Sequence, residues 1–270
     1  MDPYSITDKM DETTLDTIVK RLEARGKHPF FRKILGEYLD AMNIDNSKRV
    51  LDMGCGTGIA TRAIASRPGF SGKVKGIDLS PYLASVAEQL ASGEGLGEQV
   101  EFQAGDTRNL DISDAEYDTV IAHTLVSHVD NPVEILKEAI RVVKPGGMIG
   151  IFDGDYASLT FGHEDPKKAK ELDEIIIKAM VTSPHAMRQM PRIFQSVGLE
   201  IVYCFPYILA EVGKMDFWGP GIESLRVLLP KSGAMTEAQA NSLADGLVKD
   251  SERGVFFGAS NFYAYIGRRP

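Results

Sequence analysis

From residue 50 to about 153 the chain alternates short β-branched and apolar runs with stretches whose apolar positions recur every three or four residues. The runs at 48–53, 73–78, 100–104, 119–123 and 148–152 read as strands. Between them, "SPYLASVAEQLA" puts Leu83, Val86, Ala87 and Leu90 on one helical face, with Ser80 placed to cap it and Pro81 in its first turn. "NPVEILKEAIRVV" forms a second stripe from Ile135, Leu136, Ala139, Ile140 and Val143. "KPGG", residues 144–147, is expected to stop that helix and turn into the next strand. Strands separated by helical crossovers predict parallel βαβ units with helices on both faces of one sheet.

The flanks have a different pattern. Residues 1–46 read as one or two helices, "TTLDTIVKRLEA" and "FFRKILGEYLDAM", placed ahead of the first strand as a lid or interface arm would be. Beyond 155 come helical stretches at 165–180 and 187–196, then an apolar strand, "EIVYCF". A Gly/Pro-interrupted segment at 213–233 carries the only tryptophan, Trp218, and the chain closes with a helix at 236–249 and a strand, "SNFYAYIGRR".

Composition narrows the partners. Hydrophobic residues at 43% and charged residues at 25% are ordinary for a globular enzyme. With 30 Lys+Arg against 38 Asp+Glu, a net charge of -8 and no basic run longer than a pair, a phosphate-tracking surface is hard to assemble, so nucleic acid is a poor partner. No stretch approaches the ~20 apolar residues of a membrane span, and the first residues are acidic where a targeting segment would be basic; a cytoplasmic location is expected. Two cysteines, Cys55 and Cys204, make neither a disulfide framework nor a CxxC metal motif.

The chemistry starts at "VLDMGCGTGIA", residues 50–60. Gly54, Gly56 and Gly58 let the turn after the first strand approach a ligand without side chains, and a helix expected at 57–66 aims its start at the same spot. A dinucleotide fingerprint would need glycine where Ile59 stands, and a phosphate loop would need a lysine that is absent. Asp52 would repel a pyrophosphate but helps hold a ligand bearing an ammonium and a sulfonium. Asp78, at the end of "GIDLS", stands 20 residues beyond Gly58, where an acid takes both hydroxyls of a ribose; read alone, it is equally a cap for the next helix. Asp106 and Thr107 end the third strand in "AGDT", where a carboxylate accepts from an adenine amino group.

"VLDMGCGTG", "GIDLS", "FQAGDTRNL", "YDTVIAHTL" and "RVVKPGG", in this order over residues 50–152, resemble the motifs of the class I S-adenosylmethionine-dependent methyltransferases. The likeness is to the small-molecule group that includes the ubiquinone and menaquinone biosynthesis methyltransferases. The resemblance implies an α/β fold: a Rossmann-like three-layer sandwich with a seven-stranded, mostly parallel sheet, the last strand antiparallel, and helical lid insertions. It implies an N-terminal helical lid or arm at 1–46 and a methyltransferase domain at 47–270, with substrate-side insertions at about 155–198 and 208–235. It implies S-adenosyl-L-methionine as cofactor, with Asp52, Gly54 and Gly56 at the methionine moiety and Asp78 at the ribose. Leu79 would pack on the adenine, Asp106 would meet its amino group, and His123 would line the pocket.

On the acceptor side the expectation is O-, N- or C-methylation of a small, apolar or aromatic metabolite by a monomer or homodimer. The alternative is a cofactor-binding protein without methyl transfer. His128 and Asp155 are the candidates for handling the acceptor's proton, set against a helix-start residue for the first and a loop-capping acid for the second. His123 is either a base or a pocket wall. No metal site is expected, because the fourth strand ends in His123 where a partner acid would be needed.

Overall fold

The computed structural model describes residues 2–270. Its centre is a seven-stranded sheet ordered β3-β2-β1-β4-β5-β7-β6. The strands are β1 (Arg49–Met53), β2 (Lys73–Asp78), β3 (Val100–Ala104), β4 (Tyr117–His123), β5 (Val143–Phe161), β6 (Glu200–Gly213) and β7 (Phe256–Arg268). Neighbours from β3 to β5 pair in parallel, while β7 lies antiparallel between β5 and β6. Crossovers run from β1 outward to β2 and β3, and then back across to β4. Strand order therefore reverses between β1 and β4, which opens a crevice beyond their carboxyl ends.

The central parallel strands β1 and β4 are buried on both faces, so their apolar residues, with those of β5, serve two cores. Val50, Ile121 and Phe152 face one cluster, built with α1 (Glu12–Lys27), α2 (Pro29–Ala41), α3 (Ile59–Ala65), α6 (Pro166–Met180), α8 (Trp218–Ser232) and α9 (Glu237–Glu252). Leu51, Met53, Val120 and Ile151 face the other, built with α5 (Pro132–Val142) and α7 (Ala186–Ser196). α4 (Pro81–Gly93) starts as its sequence predicts: Ser80 Oγ accepts from the Leu83 amide, and Pro81 fills the first turn.

Several expectations need correction. The 1–46 segment is not uniformly a lid: α2 buries Phe31, Ile34, Leu35, Tyr38 and Leu39 in the core. The residues before it, a 3-10 stretch Pro3–Lys9 and α1, supply Tyr4, Thr7, Leu22 and Arg25 to the crevice. α3 begins only at Ile59, because Gly58 stands in the left-handed region at φ +77. "KPGG" does not separate helix from strand, since β5 is already under way at Val143. The insertion expected from 155 begins inside β5, and the one from 208 begins inside β6; both strands are prolonged by pairing with β7. Residues 218–232 form a helix despite two glycines and two prolines, because Trp218, Ile222, Leu225, Leu228 and Leu229 are buried there.

Candidate active site

The parallel register brings the strand ends level. Asp52 pairs with Gly76 on one side and Ile121 on the other, Asp78 with Ala104, and His123 with Phe152. Beyond these ends lies a cavity of about 150 Å³ lined by Asp52, Gly54, Gly56, Asp78, Leu79, Asp106, Thr107, His123 and His128, with Tyr4 and Arg25 from the N-terminal elements. A second space of about 50 Å³ adjoins it, and Tyr4 and His128 belong to the walls of both. Apart from Arg21, Tyr156 and those two shared residues, its lining is almost wholly apolar, with Phe161, Met180, Trp218 and Leu225 prominent.

The loop after β1 is shaped by its glycines. Gly54 and Gly56 have φ of +70 and +54, and the Gly54 and Cys55 amides donate to the Ile77 carbonyl at 2.8 and 3.0 Å, fixing the loop against β2. A Cβ on Gly54 would stand 2.7 Å from Leu125. Cys55 is buried against Gly76, and burial raises its thiol pKa, so it is packing and not a nucleophile. α1 is tied over this loop by Glu23, which accepts from Thr57 Oγ1 at 2.7 Å and pairs with Arg62 at 2.6 Å.

Asp52 is fully buried. Its Oδ2 accepts from the Thr61 amide at 3.1 Å and the Thr61 hydroxyl at 2.7 Å, whereas Oδ1 has no partner among the described residues. Burial pushes its pKa up to about 7, the Thr61 hydrogen bonds oppose that, and the nearby charge of Asp78 adds to it. The start of α3, expected to face a ligand, thus faces Asp52 through Thr61. Asp78 accepts from the Gly56 amide at 2.8 Å and the Ser80 amide at 2.9 Å, and burial raises its pKa as well. Ser80, and not Asp78, caps α4. Asp106 is held in a two-pronged pair with Arg108, Oδ1 to Nε at 2.9 Å and Oδ2 to Nη2 at 2.7 Å. Thr107 is buried beside it.

His123 Nδ1 hydrogen-bonds the Tyr38 hydroxyl at 2.8 Å, and its ring stacks on Phe152. Burial lowers its pKa to about 3, and the positive charge of Arg25 acts in the same direction. It is a neutral wall residue. His128 is placed differently: Nδ1 lies 2.9 Å from Asp2 Oδ2, and Nε2 has no hydrogen bond among the described residues. The same Asp2 oxygen accepts from the Thr182 amide and hydroxyl at 2.9 and 3.0 Å, which fixes the carboxylate that orients the ring.

Asp155 does not join them. It is buried with its Oδ2 accepting from Arg188 Nε at 2.8 Å, and it lines neither space. Side chains alternate along β5: Phe152 and Tyr156 face the crevice side, while Ile149 and Ile151 face the core of α5 and α7, Asp153 accepts from the Ser127 amide and Asp155 meets Arg188 of α7. That period was available in the sequence and argues against Asp155 in the cavity. Arg21 and Arg25, which share the α1 face of the buried Ile18 and Leu22, were not singled out in the sequence, nor were Asp2 and Tyr38 as hydrogen-bonding partners of His128 and His123.

A family model described as a methyltransferase domain matches residues 50–147. Demethylmenaquinone methyltransferase of Bacillus cytotoxicus is 32% identical over 197 residues, covering 67% of this chain and 81% of that protein. Norajmaline N-methyltransferase of Rauvolfia serpentina is 32% identical over 152 residues, which are 54% of this chain; the chain spans only 51% of that relative. A methyltransferase-fold structure from Bacillus halodurans C-125 aligns over 87% of this chain and 98% of its own with a TM-score of 0.63, at 18% identity, and so speaks for the fold alone. Among the described residues no helix is long and apolar enough to cross a membrane. Domain match, relatives and sheet order agree: the chain belongs to the class I S-adenosylmethionine-dependent methyltransferases and is similar to the enzymes of menaquinone biosynthesis.

Proposed function

We propose that the chain methylates an oxygen, nitrogen or carbon of a small, apolar or aromatic metabolite seated in the smaller space, with the cofactor in the larger one. The observation that carries this reading is Asp52 Oδ1, a buried carboxylate oxygen without a donor in the wall of the larger cavity. Such an atom suits a ligand that brings a cation with it. The other residues fit the same ligand. The bare backbone at Gly54 and Gly56 leaves room beside Asp52. Asp78 spends one acceptor position per oxygen on backbone amides and keeps the rest for ribose hydroxyls. Leu79, Asp106 and Thr107 line the stretch suited to the adenine, and Arg25 lines the wall that also holds Asp52, where it would pair with the cofactor's carboxylate.

Held by Asp52, Asp78 and Arg25, the cofactor would supply a methyl group on a sulfonium for transfer to the acceptor, leaving as the neutral thioether. The chain has three tasks. It holds acceptor and methyl donor in line at about 3 to 3.5 Å, which supplies much of the rate. It excludes water, through α1 and α8 with Tyr4 and Trp218 over the smaller space. Where the acceptor must lose a proton, His128 Nε2 receives it, since Asp2 occupies Nδ1 and His128 stands where the two spaces meet.

The acidic balance, the absence of basic runs and two unpaired thiols support a cytoplasmic enzyme acting on small molecules and not nucleic acid, as a monomer or homodimer. Incubation with methyl-labelled cofactor and a metabolite extract tests the reading. Label passing into an extract component, with S-adenosylhomocysteine formed in equal amount, is expected. Tight cofactor binding with label retained in every fraction would establish the non-transferring alternative.

A further inference from the structure

The smaller space contains one permanent charge, Arg21, and no carboxylate forms an ion pair with it among the described residues. Arg21 reaches this space from α1, beside Gly221 of α8. Its Nη1 donates to the Tyr4 hydroxyl, and its guanidinium carbon lies 5.3 Å from the Tyr4 ring centre. Among the described residues no carboxylate pairs with it. Asp2, the acid whose field it feels most, is taken up by His128, Thr182 and the Tyr4 amide. One turn along α1, Arg25 is also unpaired with any acid, donates to Thr124 Oγ1 at 2.7 Å and adds its repulsion.

Two phenols stand with Arg21 in this space. Tyr4 accepts from the guanidinium, which leaves its own O–H free to donate. The Tyr156 hydroxyl lines the same space and makes no hydrogen bond among the described residues. Tyr156 is brought there by an irregularity in β5, where residues 156–159 bulge out of the ladder between Asp155↔Asn261 and Thr160↔Ala259. A permanent cation and two phenolic donors set in an apolar wall form a receptor for a planar anion, because guanidinium nitrogens match the two oxygens of a carboxylate. A neutral acceptor would leave that cation uncompensated in a largely apolar site.

We infer that the methyl acceptor is an apolar carboxylate, held by Arg21 with Tyr4 and Tyr156, so that its reacting atom points toward His128 and the larger cavity. This deepens the methyltransferase reading and rests on it. Arg21 and Tyr156 line the smaller space alone, whereas Tyr4 and His128 line both, so a small molecule anchored at Arg21 has the larger cavity beside it.

The test uses the full chain saturated with S-adenosylhomocysteine and three ring probes: benzoate, benzamide and phenol. Calorimetry or ligand-observed NMR is expected to show benzoate binding at least tenfold more tightly than either neutral probe. Arg21→Gln is expected to lose at least tenfold in benzoate affinity, with Arg21→Lys between the two and S-adenosylhomocysteine affinity within twofold of wild type in both. Absence of benzoate binding, equal binding of benzamide or phenol, or an Arg21→Gln variant that still binds benzoate normally would each overturn the inference. If that variant does not fold, the wild-type comparison of benzoate with benzamide still decides. Failure of wild type to bind S-adenosylhomocysteine would instead strike the underlying reading, and the two failures are read separately.

Discussion

Asp52 offers a sharp test, because the feature that suits it to a cationic ligand is a liability in the ligand-free protein. Burial moves its pKa from 3.8 to about 7. Below about pH 4 folded and unfolded chains both carry the proton, so the site contributes no loss. Between about 4 and 7 the unfolded chain releases a proton that the folded chain retains, so stability falls as pH rises; above about 7 both have released it and the loss is complete. A shift of about three units corresponds to about 4 kcal/mol, or about 1.4 kcal/mol per pH unit inside the window. Asp52→Asn removes the titration while an amide oxygen still accepts from Thr61. Urea unfolding of both proteins without cofactor at pH 5, 6, 7 and 8 is expected to show the variant gaining on wild type by about 2 kcal/mol from pH 5 to pH 7, with less than about 0.5 kcal/mol more by pH 8. Any fixed cost of the unpaired amide shifts every point equally and leaves the slope intact. With saturating S-adenosylmethionine the order is expected to reverse at pH 8, because the ionised carboxylate then faces a cation. A stability difference that does not vary with pH would refute the reasoning.

Other consequences are simpler to measure. Gly58→Ala forces φ +77 on a side chain and sets a Cβ 2.7 Å from the Phe102 ring, so thermal unfolding is expected to register a loss of about 2 to 4 kcal/mol. Once an acceptor needing deprotonation is in hand, His128→Ala is expected to lower kcat by about 100-fold or more with S-adenosylhomocysteine affinity within twofold. Asp2→Asn is expected to lower kcat less, because it loosens the ring's orientation and leaves the ring present. An unchanged kcat in His128→Ala with such an acceptor would remove the histidine from the proton path.

The legible part of this protein was its parallel half. Asp52, Asp78, Asp106 and His123, each at or just past the end of a short apolar run, line one cavity because parallel strands bring such residues to one edge. The antiparallel half was harder to read. How far β5 and β6 extend is decided by pairing with β7, a partner up to 120 residues away, and α8 is decided by what its apolar residues bury against, which outweighs its own glycines and prolines. Asp155 was misplaced by attention to its position past a strand end without counting which face it takes. Arg21 and Asp2 lay outside local reasoning altogether: only the folded chain shows that one has no acid beside it and that the other reaches residues 128 and 182.

The central claim is that acids at the ends of adjacent parallel strands hold the nucleoside of the methyl donor. It is tested most directly by calorimetric titration of S-adenosylhomocysteine into wild type and Asp78→Ala at pH 8. The account predicts one site per chain in wild type and an affinity lower by about 1.5 to 3 kcal/mol in the variant, with unfolding temperature showing it folded. Equal affinities in two folded proteins, or no binding to wild type at millimolar ligand, would contradict it.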